Sequence, residues 1–200
     1  RSGTHQRTKL KRWAIHSPRH MSEGRWHLRG MRCVVTGASQ GLGYAIAREM
    51  ITLGATVLLV GRSAQKLRDA QNAMADETDD KTGDACLCLA ADVATDEGRA
   101  SVLEHVEKLF GSLDVLVNNV GFNRRAPIEE VTWADYDLSV RTNQDSAFFL
   151  CQQFFPMLRR SSAASVVNVA SVAGVRSTGT GVLYAMTKVI FAACEALTAP

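Results

Sequence analysis

The 200-residue sequence has no long apolar run. Nothing in it approaches the ~20 consecutive apolar residues that a membrane span needs. Its most apolar stretches, such as residues 55–60, are short and bounded by glycine, which reads as strand rather than span. It has no CxxC pair either. The five cysteines (Cys33, Cys86, Cys88, Cys151 and Cys194) are odd in number, match no zinc spacing and lie mostly in apolar surroundings. They read as buried free thiols of a reducing compartment, and no metal is expected. No repeat of solenoid length is present. Acid is missing from residues 1–20, which hold six Lys or Arg and no Asp or Glu. Setting those six aside from the 23 basic residues leaves 17 against 20 acidic ones, so the body is formally −3 although the whole chain is +3. A nucleic-acid-binding domain carries its basic residues on the folded body, and this one does not.

The basic arm, residues 1–22, is compatible with three readings: a transit peptide, a disordered extension, or a segment ahead of a natural start at Met21. Residues 23–200 read as one domain. The expected location is cytoplasmic, or organellar if the arm is a transit peptide.

From about residue 31 short apolar runs alternate with amphipathic stretches. Strands are predicted at 32–36, 55–60, 85–90, 113–118 and 165–170. Helices are predicted at 42–53, 64–74, 98–110, 133–159 and 183–197. Strands of about six residues alternating with helices predict an α/β fold: a Rossmann-type, doubly wound parallel sheet covered on both faces.

The first strand runs into Thr36, Gly37, Ala38, Ser39, Gln40, Gly41, Leu42 and Gly43, and a helix follows. Glycine lets a backbone turn tightly and approach a ligand, and the free N–H groups of a helix start attract an anion. A strand before the turn, a helix after it and a second strand about 20 residues on complete the dinucleotide-binding pattern. As a plain tight turn the same glycines would bind nothing. No GK[ST] follows, so a triphosphate loop is not indicated. The second strand ends in Val60-Gly61-Arg62-Ser63, where an acidic residue would suit the ribose hydroxyls of NAD(H). A guanidinium there suits a 2′-phosphate, which points to NADP(H). Gln40 offers a hydrogen bond to the same phosphate.

Tyr184 and Lys188 stand four apart at the start of the last helix, on one face. A nearby ammonium favours the ionised form of a phenol, which suits it to exchange a proton with a carbonyl or alcohol oxygen. YxxxK alone is common. Here it follows the fifth strand, and Ser171 lies thirteen residues upstream at that strand's C-terminal end, the edge at which open α/β sheets bind ligands.

With these motifs in order the sequence resembles the short-chain dehydrogenase/reductase family over roughly residues 30–198. The resemblance rests on the glycine turn, Asp92-Val93, Asn118-Asn119-Val120-Gly121, Asn143, Ser171, Tyr184 and Lys188. Within the family it is most similar to the tropinone reductase-like branch. The pieces that say so are residues 24–30 (GRWHLRG), 119–124 (NVGFNR), and 171–175 (SVAGV) leading to 179–181 (GTG).

The resemblance implies an enzyme that interconverts a carbonyl compound and an alcohol with NADP(H). In it Tyr184 is the general acid/base, and Lys188 lowers its pKa and holds the nicotinamide ribose. Ser171 binds the substrate oxygen and Asn143 anchors a water of the proton relay. Gly37, Ser39, Gln40, Gly41, Leu42, Gly43 and Arg62 would bind the cofactor's phosphates, and Asp92 and Val93 its adenine. Asn118 and Asn119 would support the central strands and, with Gly121, the cofactor edge. The resemblance also implies further C-terminal strands beyond Pro200 and a homodimer or homotetramer built on the two long helices. The partner expected is a small ketone or alcohol. The alternative is a non-catalytic NADP(H)-binding or oligomerisation protein on the same fold.

Overall fold

The computed structural model describes residues 27–77, 84–176, 179 and 181–189. The arm and Cys194 lie outside the described residues, as do the later turns predicted for the last helix. Five strands, β1 (Arg32–Thr36), β2 (Thr56–Gly61), β3 (Cys86–Ala90), β4 (Val115–Asn118) and β5 (Ser165–Asn168), form one parallel sheet in the order β3-β2-β1-β4-β5. The chain winds outward from β1 to β3, returns, and winds the other way through β4 and β5. The winding therefore reverses between β1 and β4, and a crevice opens there above the strand ends.

Alternating side chains of the strands feed two cores. Cys33, Val35, Val57 and Leu59 face α1 (Gly41–Thr52) and α2 (Ala64–Glu77), and Leu67 and Met74 of α2 close that layer. Val34, Leu58, Val60 and Leu116 face α3 (Asp96–Phe110) and α5 (Ser146–Leu158), meeting Val102, Val106, Leu150 and Phe154. Each such side chain contributes about 1.5–3 kcal/mol on burial. Both faces being covered explains why β1 and β2 read as near-continuous apolar runs rather than as alternation. Burial pushes the Cys33 thiol up to about 12, so it stays an inert, protonated filler of the core.

The predicted elements all appear, with boundaries moved by local chemistry. Helix α3 starts at Asp96, two residues earlier than the apolar pattern indicated. The Thr95 hydroxyl accepts the Gly98 N–H (3.0 Å) and caps it, and Gly111 ends it in the left-handed region. The single helix expected over 133–159 is α4 (Trp133–Val140) and α5 joined by one wide π turn, Arg141–Asp145. Helix α4 begins in a capping box between Thr132 and Asp135. The last helix, α6, is described over Val182–Val189.

Candidate active site

A cavity of about 380 Å³ opens over the C-terminal ends of β1, β2, β3 and β4. Gly37, Ser39, Gln40 and Gly41 line one wall, Arg62, Asp92 and Val93 the far end, and Asn119, Gly121 and Thr142 the near end. Nine residues expected at a dinucleotide from the sequence therefore share one surface. Leu42 and Gly43 stand behind that lining. Leu42 is exposed, and Gly43 is a close-approach position: a Cβ there would meet the Gly37 carbonyl oxygen at 2.4 Å.

The glycine turn is built for an anion. Gly37 and Gly41 have φ of +66° and +61°, where a side chain is strained. Gln40 takes the N-cap position of α1 but its side chain makes no capping bond, and the first turn holds no acid. The first N–H groups of α1 thus face the cavity without a side-chain acceptor. Polar buttresses hold the turn in place. The Gly37 and Ala38 N–H groups donate to the Val60 carbonyl. The Thr36 hydroxyl accepts the N–H of Asn119 (3.0 Å) and of Val120 (3.3 Å) and donates to the Val117 carbonyl. The Asn119 amide donates to the carbonyls of Thr36 and Gly37. These features fit a dinucleotide: the helix start and turn would hold the pyrophosphate, and Arg62 and the Asp92–Val93 edge the adenosine end.

The second group of residues adjoins the near end. A Cβ on Gly121 would lie 3.7 Å from the Lys188 ammonium and 3.9 Å from Asn143 Oδ1, so the near end of the cavity lies against both side chains. Lys188 is 3 % exposed; its Nζ donates to the Val169 carbonyl (2.8 Å) and lies 5.8 Å from the Tyr184 ring centre. Burial lowers its pKa from the ordinary 10.5, and its field is little screened by solvent there. Asn143 sits in the wide turn of the helix, and its side chain is a clamp. Oδ1 accepts the Phe122 N–H (2.6 Å), while Nδ2 donates to the Phe122 carbonyl (2.8 Å) and to the Thr187 hydroxyl (2.9 Å). Ser171 caps the short 3-10 turn Val172–Gly174 by accepting the Ala173 N–H, which leaves its own proton to donate elsewhere. Gly174 lets that turn rest on α6, since a Cβ would meet the Lys188 carbonyl oxygen at 2.6 Å. Asn143, Ser171, Tyr184 and Lys188, scattered over the sequence, are thus drawn around the first turns of α6.

Sequence reasoning missed Thr187, buried beneath this group, and the close approach of Gly174 to α6. A threonine inside an apolar helix face carries no signal of its own. It also missed Arg99, a guanidinium in an apolar position of α3. Among the described residues no three His, Cys, Asp or Glu side chains gather as a metal site, and no helix is long and apolar enough to cross a membrane.

Comparison with known proteins agrees with the geometry. The family model for short chain dehydrogenase matches residues 32–199. A chloroplastic tropinone reductase homologue of Arabidopsis thaliana is 39 % identical over 154 residues, which cover 76 % of this chain and 46 % of that protein. A second Arabidopsis homologue is 36 % identical over 165 residues, 82 % of this chain and 61 % of its own length. Among solved structures, L-sorbose reductase from Gluconobacter frateurii, complexed with NADPH and L-sorbose, superposes with a TM-score of 0.76 at 30 % identity, covering 82 % of this chain and 61 % of that one. The Pseudomonas aeruginosa RhlG complex with NADP gives 0.75 at 29 % identity, with 82 % and 64 % covered. The chain spans between about half and two thirds of the length of these relatives. A five-stranded Rossmann-type sheet, a glycine turn at its switch point and the family match over most of the sequence place this chain among the short-chain dehydrogenase oxidoreductases, in their tropinone reductase-like branch.

Proposed function

We propose that the chain carries the cofactor site and the proton-transfer group of an NADP(H)-dependent oxidoreductase that interconverts a ketone and an alcohol. The observation that carries this reading is the buried Lys188 ammonium held between the Val169 carbonyl and the Tyr184 ring, beside Gly121 at the near end of the cavity. A buried cation costs free energy to hold, and beside a phenol it favours the charge that develops when the phenol gives up its proton. When bound, NADP(H) supplies hydride chemistry at its nicotinamide.

In this reading the Tyr184 hydroxyl gives a proton to the substrate oxygen on reduction and takes it back on oxidation. Ser171 donates its free hydroxyl proton to that oxygen and orients it. Both N–H donors of Asn143 are occupied by Phe122 and Thr187. Its side chain fixes the floor of the site. At the other end Arg62 pairs with the 2′-phosphate. The relatives solved in complex with NADPH and with NADP support that choice of cofactor.

Two measurements test the reading. Tyr184→Phe should lower turnover of a reducible ketone by about a thousandfold while leaving NADPH affinity within about twofold. Arg62→Ala should weaken NADPH about tenfold and leave NADH unchanged. Full turnover in Tyr184→Phe would refute the catalytic assignment, and an Arg62→Ala variant that still prefers NADPH would refute the cofactor assignment.

A further inference from the structure

Helix α3 presents Arg99, Val102 and Val106 to the core. Helical spacing makes position 99 an apolar slot, yet it holds a guanidinium that is 3 % exposed. Nη1 donates to the Val93 carbonyl (2.9 Å), Nη2 pairs with the Asp96 carboxylate, and the guanidinium carbon sits 5.0 Å from the centre of the Phe149 ring. Nε meets no acceptor among the described residues. A buried cation with one unmet donor is a costly way to fill a core position, and an apolar side chain of similar volume would serve stability as well or better. What the cation has that an apolar residue lacks is a grip on Val93.

Val93 lies at the far end of the cavity. The residues before it are already fixed. The Asp92 carboxylate accepts the Ala94 N–H (3.0 Å), and the Asp92 carbonyl accepts the Thr95 N–H and hydroxyl. Glycine at 98 lets α3 press against that carbonyl, where a Cβ would lie 1.9 Å from the oxygen. The Val93 carbonyl is the next group along, and Arg99 holds it from beneath. Phe149, on α5, braces the guanidinium in turn.

From this geometry we infer that Arg99 is a positioning residue that holds the Asp92–Val93 edge of the cavity in shape for the adenine end of the dinucleotide. The inference rests on the cofactor reading above. Arg99 touches no part of the cofactor itself; it acts through the Val93 peptide.

The test is a set of binding titrations with NADPH, with adenosine 2′,5′-bisphosphate and with reduced nicotinamide mononucleotide, alongside thermal melting. Arg99→Met keeps length and removes the grip. It should melt no lower than the parent protein, yet bind NADPH and the adenosine bisphosphate about tenfold more weakly and the mononucleotide unchanged. kcat at saturating NADPH should stay within about twofold while KM for NADPH rises. Arg99→Lys, which keeps a donor for the Val93 carbonyl, should recover most of the lost affinity. Asp96 is exposed, so Asp96→Asn spares the core and should weaken the same two ligands about two- to threefold, whether or not the methionine variant folds. Unchanged adenosine bisphosphate binding in Arg99→Met and Asp96→Asn overturns the inference, as does a lysine variant as weak as the methionine one. A parent protein that binds none of the three ligands removes the cofactor reading and the inference with it.

Discussion

The two ends of the sheet are held by different chemistry. At the N-terminal end a charged clamp ties β1, β4 and the approach to β5. The Asp114 carboxylate accepts the main-chain N–H and Nε of Arg32 (both 2.8 Å), Nη2 of Arg32 (3.1 Å) and the Ser161 hydroxyl (2.5 Å). At the C-terminal end the same three strands are tied by neutral side chains: Thr36 to Asn119, and the Asn118 amide to Asn168 (2.9 Å) and Cys151. The charged end saturates one carboxylate. The neutral end leaves buried Asn118 Oδ1 without a donor among the described residues. A carboxylate at the glycine turn would compete with an anionic ligand for the N–H groups of α1, whereas amides and a hydroxyl shape the turn without doing so.

The largest expected effect breaks the neutral end. Gly43→Ala places a Cβ on the Gly37 carbonyl and on the Asn119 amide at 2.4 and 2.5 Å. Relieving that contact should cost about 3 kcal/mol in denaturant unfolding and abolish NADPH binding in the same protein. Asp114→Asn breaks the charged end. It should cost about 2 kcal/mol and leave the NADPH dissociation constant unchanged. A change in affinity would mean that the two ends are coupled.

The same clamp predicts a pH dependence. Hydrogen bonding by Arg32, helped by Ser161, holds the Asp114 carboxyl at about 2, below its ordinary 3.8. The unfolded chain therefore takes up the proton first. The stabilisation is complete above about pH 4 and fades as pH falls towards 2, by about 2 kcal/mol in all. Acid unfolding followed by circular dichroism should show this slope in the parent and lose it in Asp114→Asn.

Smaller still, Thr36→Val removes the acceptor for Asn119 and Val120 and should cost about 1–2 kcal/mol, with weaker NADPH binding, because it lies at the binding end. Near the charged end, the exposed pair of Arg160 and Glu107 (2.8 Å) supplies a control. Glu107→Gln should leave the melting temperature within error, since solvent and salt screen such pairs.

Much of this was legible in the sequence because it was written locally. Strand runs, the glycine turn and the Tyr184–Lys188 spacing each depend on neighbours a few residues apart. What was not legible depends on the third dimension. The π turn at Arg141–Asp145 is paid out over one helical turn and leaves no break in the apolar pattern. The clamp role of Asn143 follows only once Phe122 and Thr187 are seen on either side of it. Arg99 sits among charged residues in the sequence, and nothing local says that its side chain turns inward. The start of α3 shifted because Thr95, a polar residue outside the apolar pattern, makes the first bond of the helix.

The separation of the clamped partners along the chain has a consequence for how the molecule is made. Thr36 and Asn119 are 83 residues apart, and Arg32 and Asp114 are 82 apart. A nascent chain that has produced only the first three strands has a complete glycine motif but no fixed turn, and β1 still shows an open edge to the solvent. Neither end of the sheet can lock until β4 has emerged and docked, a contact between distant residues that forms slowly. Until then the growing polypeptide exposes to other chains a strand that ends up at the centre of the sheet, and competence to bind a nucleotide arrives late in synthesis rather than with the residues that first spell it.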